Sequence, residues 1–522
     1  MSSFTHPFLI RFLLVLLLGL GGAFAFTIRP AADNTVDSPP AVAEQITASP
    51  GAFAFKETVE RHVSKVAFPK FTDVHEQMGL LYQYDGWVRG LKLMVEATAG
   101  AGGTWLDVDS DGYLDAVFAQ GCDPTAETPS PELSDRLFRN VDAEEFADIT
   151  DVARLESGSG YGQGVAIGDF NNDGFDDIYL TRLGSNRLLE NLGDGTFVDI
   201  TDAADVDSPY WSASAAWADW DLDGDLDLFV CNYVDFDVHH PVECRRKVDG
   251  VPGMCSPAQF NGIPNAAFLN EGNGQFREAG EELGLQAGPK VTKSLGVVIA
   301  ELTGDRWPDI FVANDETANT LFVGQDGSSF QELGNVMGCA FGRDGETQAS
   351  MGVAFGDFDR NGMQDVCLSH FSKQTNTLYS NQPGGGGFVD ASRATGLTDA
   401  TYELLGWGIV MQDFNQDGNQ DLFTANGNVH NNEDLGEPYH MRPQLLSIAD
   451  GRWSDSESQG GAYFEKLFVG RGVSTGDFDC DGDFDLLVGH HLARTSLLRN
   501  DSERGNWLKL RLIGTASNRC GI

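Results

Sequence analysis

The chain has 522 residues, with 78 acidic against 34 basic side chains and a net charge of −44. That surplus repels phosphate backbones and anionic bilayers, so it excludes nucleic acid as a partner and favours cations. Eight cysteines are too few for a disulfide-built scaffold, and one repeat array filling most of the chain points to a single large domain.

The first expected element is an export signal over residues 1–25. Arg11 precedes the apolar run Phe12 to Phe26, and Ala23-Phe24-Ala25 offers a small-x-small cleavage site. The signal implies a secreted, cell-surface or periplasmic protein. The alternative is an uncleaved anchor, because Phe8 to Phe26 approaches the roughly 20 residues that span a bilayer; only then would a membrane be a partner. Residues 26–65, rich in Ala, Pro, Ser and Thr from Pro30 to Pro50, read as a flexible linker.

Residues 66–504 carry the repeats. Seven acidic phrases, Asp-x-Asp/Asn-x-Asp-Gly-x-x-Asp or a variant, begin at Asp107, Asp169, Asp219, Glu301, Asp357, Asp413 and Asp477. The clearest unit runs from Gly164 to Asp199, where apolar runs of about five residues alternate with Gly/Asn/Asp turns, the mark of short antiparallel strands. Four strands make a propeller blade. The second follows the acidic loop as an apolar triplet such as Ile178-Tyr179-Leu180 or Leu486-Leu487-Val488, apolar enough for burial on both faces. The third opens with Asn186, Asn265, Asn319 or Asn376. The fourth carries an aromatic: Phe71, Phe146, Phe197, Phe276, Phe330, Phe388 or Trp453. Because Phe71 precedes the first loop and the seventh unit ends near Asn500, the two ends are expected to complete one blade and leave no open edge. The predicted fold is all-β, a seven-bladed β-propeller of four-stranded antiparallel blades. Five residues before each first ligand stands Gly102, Gly164, Gly296, Gly352, Gly408 or Gly472, with Ser214 as the departure; strand one is therefore expected at the crowded axis.

Oxygens at positions 1, 3, 5 and 9 with a turning Gly at 6 suit a hard cation taking 6–8 oxygen ligands, which means calcium. The ligands expected are Asp107, Asp109, Asp111 and Asp115; Asp169, Asn171, Asp173 and Asp177; Asp219, Asp221, Asp223 and Asp227; Asp357, Asp359, Asn361 and Asp365; Asp413, Asn415, Asp417 and Asp421; and Asp477, Asp479, Asp481 and Asp485. An EF-hand would need Glu at position 12 and flanking helices, and these six loops place Phe118, Leu180, Val230, Leu368, Thr424 and Val488 there. The fourth loop, with Glu301, Thr303, Asp305 and Asp309, has a long first ligand and Arg306 where Gly should turn, so its site is expected to be weak or empty.

The GDFNNDGFDDIYL and NLGDGTFVDIT phrases resemble the FG-GAP/VCBS repeats of integrin α-subunit propellers and many bacterial exported proteins, over roughly Phe71 to Asn500. Residues 505–522, with Asn506-Trp507-Leu508-Lys509-Leu510, resemble the opening of an ASPIC/UnbV domain, expected to be truncated here. The NYVDFDVHHPVEC…PGMCSPAQFNG insertion is similar to that of the ASPIC/UnbV, cartilage acidic protein-like, group. The resemblance implies an extracellular calcium-binding module of adhesion or recognition.

Topology should place the calcium loops on one face and the long insertions on the other: Gly121 to Ser134, Tyr233 to Pro264, Met337 to Ser350 and Gly427 to Pro443. Cys244 and Cys255 bracket a Pro/Gly-rich stretch and are the candidate disulfide. Strand two ends on that second face at Gln120, Arg182, Asn232, Asn314, His370, Asn426 and His490. These seven are a candidate recognition mouth or simply polar strand ends. Two functions follow. One is a calcium-stiffened module binding an extracellular protein or glycan. The other is a polysaccharide lyase or hydrolase using His370, His490 or His491 with Arg182, although no nucleophile motif, HExxH site, P-loop or dinucleotide fingerprint supports it and no catalytic residue is assigned. A transition metal held by histidines is a third, weaker possibility.

Overall fold

Every acidic phrase joins two strands that pair antiparallel, because its left-handed turn reverses the chain. A computed structural model of the protein describes residues 24–28, 68–86, 100–125, 133–155, 160–286, 292–503, 507–514 and 518. The expected signal and linker therefore lie outside the described residues, except for Phe24–Ile28, which pairs antiparallel with Leu510–Gly514. Among the described residues no helix is long and apolar enough to cross a membrane.

Seven four-stranded antiparallel sheets form the blades of a β-propeller. In the second blade, Tyr161–Gly168 is innermost, followed by Asp177–Leu183, Arg187–Asn191 and Phe197–Asp199. The strands leaving the acidic loops are buried along the apolar triplets, as near-continuous hydrophobicity requires when both faces pack. The seven outer-strand aromatics, from Phe71 to Trp453, are all buried. Phe71–Asp73 pairs with Ser496–Asn500, so the two ends of the array share the seventh blade and close the ring. Successive innermost strands touch round the circle, the last against the first.

Crowding at the axis accounts for the glycines. A Cβ on Gly102, Gly164, Gly296, Gly352, Gly408 or Gly472 would come within 2.1 to 3.0 Å of a carbonyl oxygen of the next blade. Asparagines ending the third strand join the blades at larger radius. The carboxamides of Asn140, Asn191, Asn270, Asn381 and Asn500 donate to the carbonyls of Phe478, Val108, Phe170, Leu302 and Phe414, each in the acidic loop of the preceding blade. Their Nδ2 groups also donate within their own blades, so these buried amides are satisfied at a blade junction.

Candidate metal centres and the opposite face

Position four of six acidic loops is left-handed without glycine: Ser110, Asn172, Leu222, Arg360, Gln416 and Cys480 have φ between 53° and 61°. Asn is suited to that region, and the glycine at position six, with φ from 82° to 105°, completes the turn. The amide of that glycine donates to the first aspartate, as from Gly174 to Asp169 at 2.8 Å and Gly362 to Asp357 at 2.9 Å. The coiled loop gathers its carboxylates. Oxygens of Asp107, Asp109 and Asp115, of Asp219, Asp221 and Asp223, of Asp357, Asp359 and Asp365, and of Asp477, Asp479 and Asp485 lie within 4.8 Å of one another in each group. Loops two and six have Asn171 and Asn415 at position three.

The ninth aspartate is buried in every loop. Asp115 shows the pattern, with Oδ2 accepting from the Val108 amide at 2.8 Å and Oδ1 from the Asn140 amide at 2.7 Å. Asp177, Asp227, Asp309, Asp365 and Asp485 repeat both contacts. Burial, reinforced by neighbouring carboxylates, pushes Asp115, Asp365 and Asp421 up to about 7, Asp177 to about 8 and Asp227 to about 9. Ionised together, these groups repel unless a cation sits among them. The Oδ1 atoms of Asp109, Asp219 and Asp479 are buried with no hydrogen-bond donor. All-oxygen donor sets with unsatisfied inward oxygens fit a hard divalent ion. In the fourth loop, Glu301 Oε1 instead accepts from the amides of Thr303, Gly304 and Asp305, and Arg306 is held at φ 87°. Asp309 is pushed up only to about 6 by its burial.

On the opposite face the structure buries all seven strand-two end residues, from Asn314 and His370 at 0 % exposure to Gln120 at 6 %. Three of them close the turn of their own blade. Asn232, Asn314 and Asn426 donate to the carbonyls of Pro264, Ala318 and Arg442. Arg182 pairs with buried Asp135, and Gln120 Oε1 accepts the amides of Asp85 and Gly121. His370 Nε2 contacts Thr377 Oγ1, and His490 stacks on Phe468 at 4.2 Å. Burial pushes His370 down to about 4 and His490 and His491 to about 3. The seven polar strand ends are thus buried, and the Nδ1 atoms of His370 and His490 lie there without a hydrogen-bond partner.

The family model of the FG-GAP-like repeat matches residues 107–180, 169–230 and 301–368. Cartilage acidic protein 1 of Mus musculus is 24 % identical over 433 residues, covering 77 % of this chain and 60 % of that protein. Its Xenopus tropicalis counterpart is 30 % identical over 221 residues, covering 40 % of this chain and 29 % of that protein. The chain carries FG-GAP-like repeats and is similar in sequence to cartilage acidic protein 1. It spans less than two thirds of the length of those relatives. A solved structure of an Agrocybe aegerita lectin recognising non-reducing terminal N-acetylglucosamine overlaps at TM-score 0.39 and 14 % identity, over 76 % of this chain and 87 % of that one, a level that carries no argument.

The propeller carries a cap whose contacts the sequence did not reveal. Cys244 and Cys255 are disulfide-bonded, and the hairpin of Cys244–Arg245 with Pro252–Gly253 lies on the insertion of the third blade. Its two cysteines belong with the buried cluster that holds Tyr84, Tyr161 and Trp211, and Met254 packs against both that cluster and the one that holds Met351, Trp407 and Met441. Arg246 then grips Asp434 of the sixth-blade insertion with both Nη atoms, at 3.0 and 2.9 Å. The insertion therefore crosses the axial mouth. The insertion and its cysteine pair were legible in the sequence, but its reach to Asp434 was not, although Arg245-Arg246-Lys247 is the sole run of adjacent basic residues in the chain.

Proposed function

We propose that this FG-GAP propeller is an exported recognition module for an extracellular protein or glycan, in which calcium stiffens one face and the disulfide-capped insertions present the other. The observation that carries it is the clustering of carboxylate oxygens in four loops beside the buried, donor-free Oδ1 of Asp219. Bound calcium would supply positive charge at the loops of blades one, two, three, five, six and seven, held by the four predicted side-chain ligands of each; the fourth loop would bind weakly or not at all. Each filled site would add about 2.7 kcal/mol at calcium a hundredfold above its dissociation constant. Recognition is assigned to the insertion face because long loops on a rigid scaffold are where binding concentrates. The lyase or hydrolase alternative finds less support: His370, His490 and Arg182 are each buried in contacts of a different blade. Thermal melting with calcium and with chelator tests the calcium part, and an unchanged melting temperature would remove it. Glycan and protein arrays probed with the full chain, with and without calcium, test recognition.

A further inference from the structure

The residue cross-strand from the ninth aspartate stands on the third strand of each blade, and in blades one, two and five its side chain contacts the acidic loop. The antiparallel register of strands two and three makes it Arg139, Glu190, Leu269, Val323, Ser380, Ser447 and Arg499 in blades one to seven. Cross-strand side chains directly opposite are within contact distance. In blade one, Arg139 Nη2 lies 2.5 Å from Asp109 Oδ2 and 3.2 Å from Asp111 Oδ2. In blade two, where position three is Asn171, Glu190 Oε1 accepts from the Asn171 Nδ2 at 3.2 Å. That bond turns the Asn171 carbonyl oxygen into the loop, where it accepts from the Asp173 amide at 3.0 Å. In blade five the residue is neutral, and Ser380 Oγ donates to Asp359 Oδ2 at 3.1 Å.

We infer that this cross-strand residue sets the divalent-cation affinity of each loop, Arg139 lowering it in blade one and Glu190 raising it in blade two. The inference rests on the calcium reading of the loops. A cation entering loop one meets a guanidinium already paired with two of its four carboxylates, a positive charge a few ångströms away. In loop two, the neutral carboxamide that replaces an aspartate is offset by the Glu190 carboxylate, which both orients the amide and restores a negative charge beside the site. Electrostatics of one unit charge at such range changes an affinity by about tenfold or more.

Native mass spectrometry of the full chain, titrated with calcium alone after chelator treatment, reads the number of bound ions at each free calcium concentration. Arg139→Ser should move one binding step to about tenfold lower calcium, and Glu190→Leu should move one step about tenfold higher. Asn171→Asp placed on Glu190→Leu should restore the lost step, which a merely misfolded variant would not do. Wild type binding several ions with both single variants superimposing on it would overturn the inference. A wild type that binds none at millimolar calcium would overturn the calcium reading itself.

Discussion

The Ser214 hydroxyl donates to the Leu295 carbonyl at 2.8 Å, from the one innermost strand that lacks glycine at this radius. Elsewhere the same carbonyl position confronts a bare Cα, and a side chain fits only if it turns the clash into a hydrogen bond.

Substitutions at this collar should therefore separate. Gly352→Ala would put a Cβ 2.1 Å from the Trp407 oxygen, and Gly164→Ala one 3.0 Å from the Ala213 oxygen. The first is expected to cost more than about 3 kcal/mol and the second less. Ser214→Gly removes one hydrogen bond, about 1 kcal/mol. Urea denaturation of the three variants at saturating calcium gives the order; equal costs for both alanines would contradict the crowding argument.

Arg306 occupies the turn position that glycine fills in the other loops, at φ 87°. Arg306→Gly should relieve that strain and stabilise the protein by about 1 kcal/mol, less whatever the stacking of its guanidinium on Trp307 at 4.7 Å contributes. The denaturation midpoint checks it, and a loss of stability would show that the stacking outweighs the backbone.

Three buried imidazoles set the acid limb of stability. His370, His490 and His491 are held neutral in the fold by burial, with folded values of about 4, 3 and 3. In the unfolded chain they take up protons near 6.5. Their contribution is complete above 6.5 and is lost as pH falls, down to about 4 for His370 and about 3 for His490 and His491, at about 1.4 kcal/mol per unit per histidine. Stability at fixed saturating calcium between pH 7.5 and 5 should show this slope, and His370→Gln should make it shallower by one proton. An identical slope in the variant would assign the acid limb to other groups.

The cap should open on reduction while the ring survives. Joining Cys244 to Cys255 closes a short loop, and its loss costs about 2–3 kcal/mol in that segment. Double replacement of the two cysteines by serine should speed tryptic cleavage at Arg245 and Lys247 severalfold and leave the main melting transition in place. Cleavage at the wild-type rate would mean that the Arg246–Asp434 pair holds the cap by itself.

The blades were legible because their signals are local and repeated. Short apolar runs between Gly/Asn/Asp turns gave the strands, and the offset of Phe71 from Asn500 foretold the shared blade, now seen as Phe71–Asp73 beside Ser496–Asn500. The polar strand ends were legible as residues but not as a role. Asn232 and Asn314 are buried and meet their partners within closed turns, which only coordinates reveal.

The sequence by itself determined the chain reversal at each acidic loop, the number of blades and the donor chemistry of the loops, since these depend on residues within a few positions of one another. Tertiary structure decided what those loops and insertions face. Arg139 reaches Asp111 through strand register, and Arg246 reaches Asp434 across 188 residues and the axis of the ring. Such contacts depend on how the blades close, and no local preference of the chain encodes that geometry.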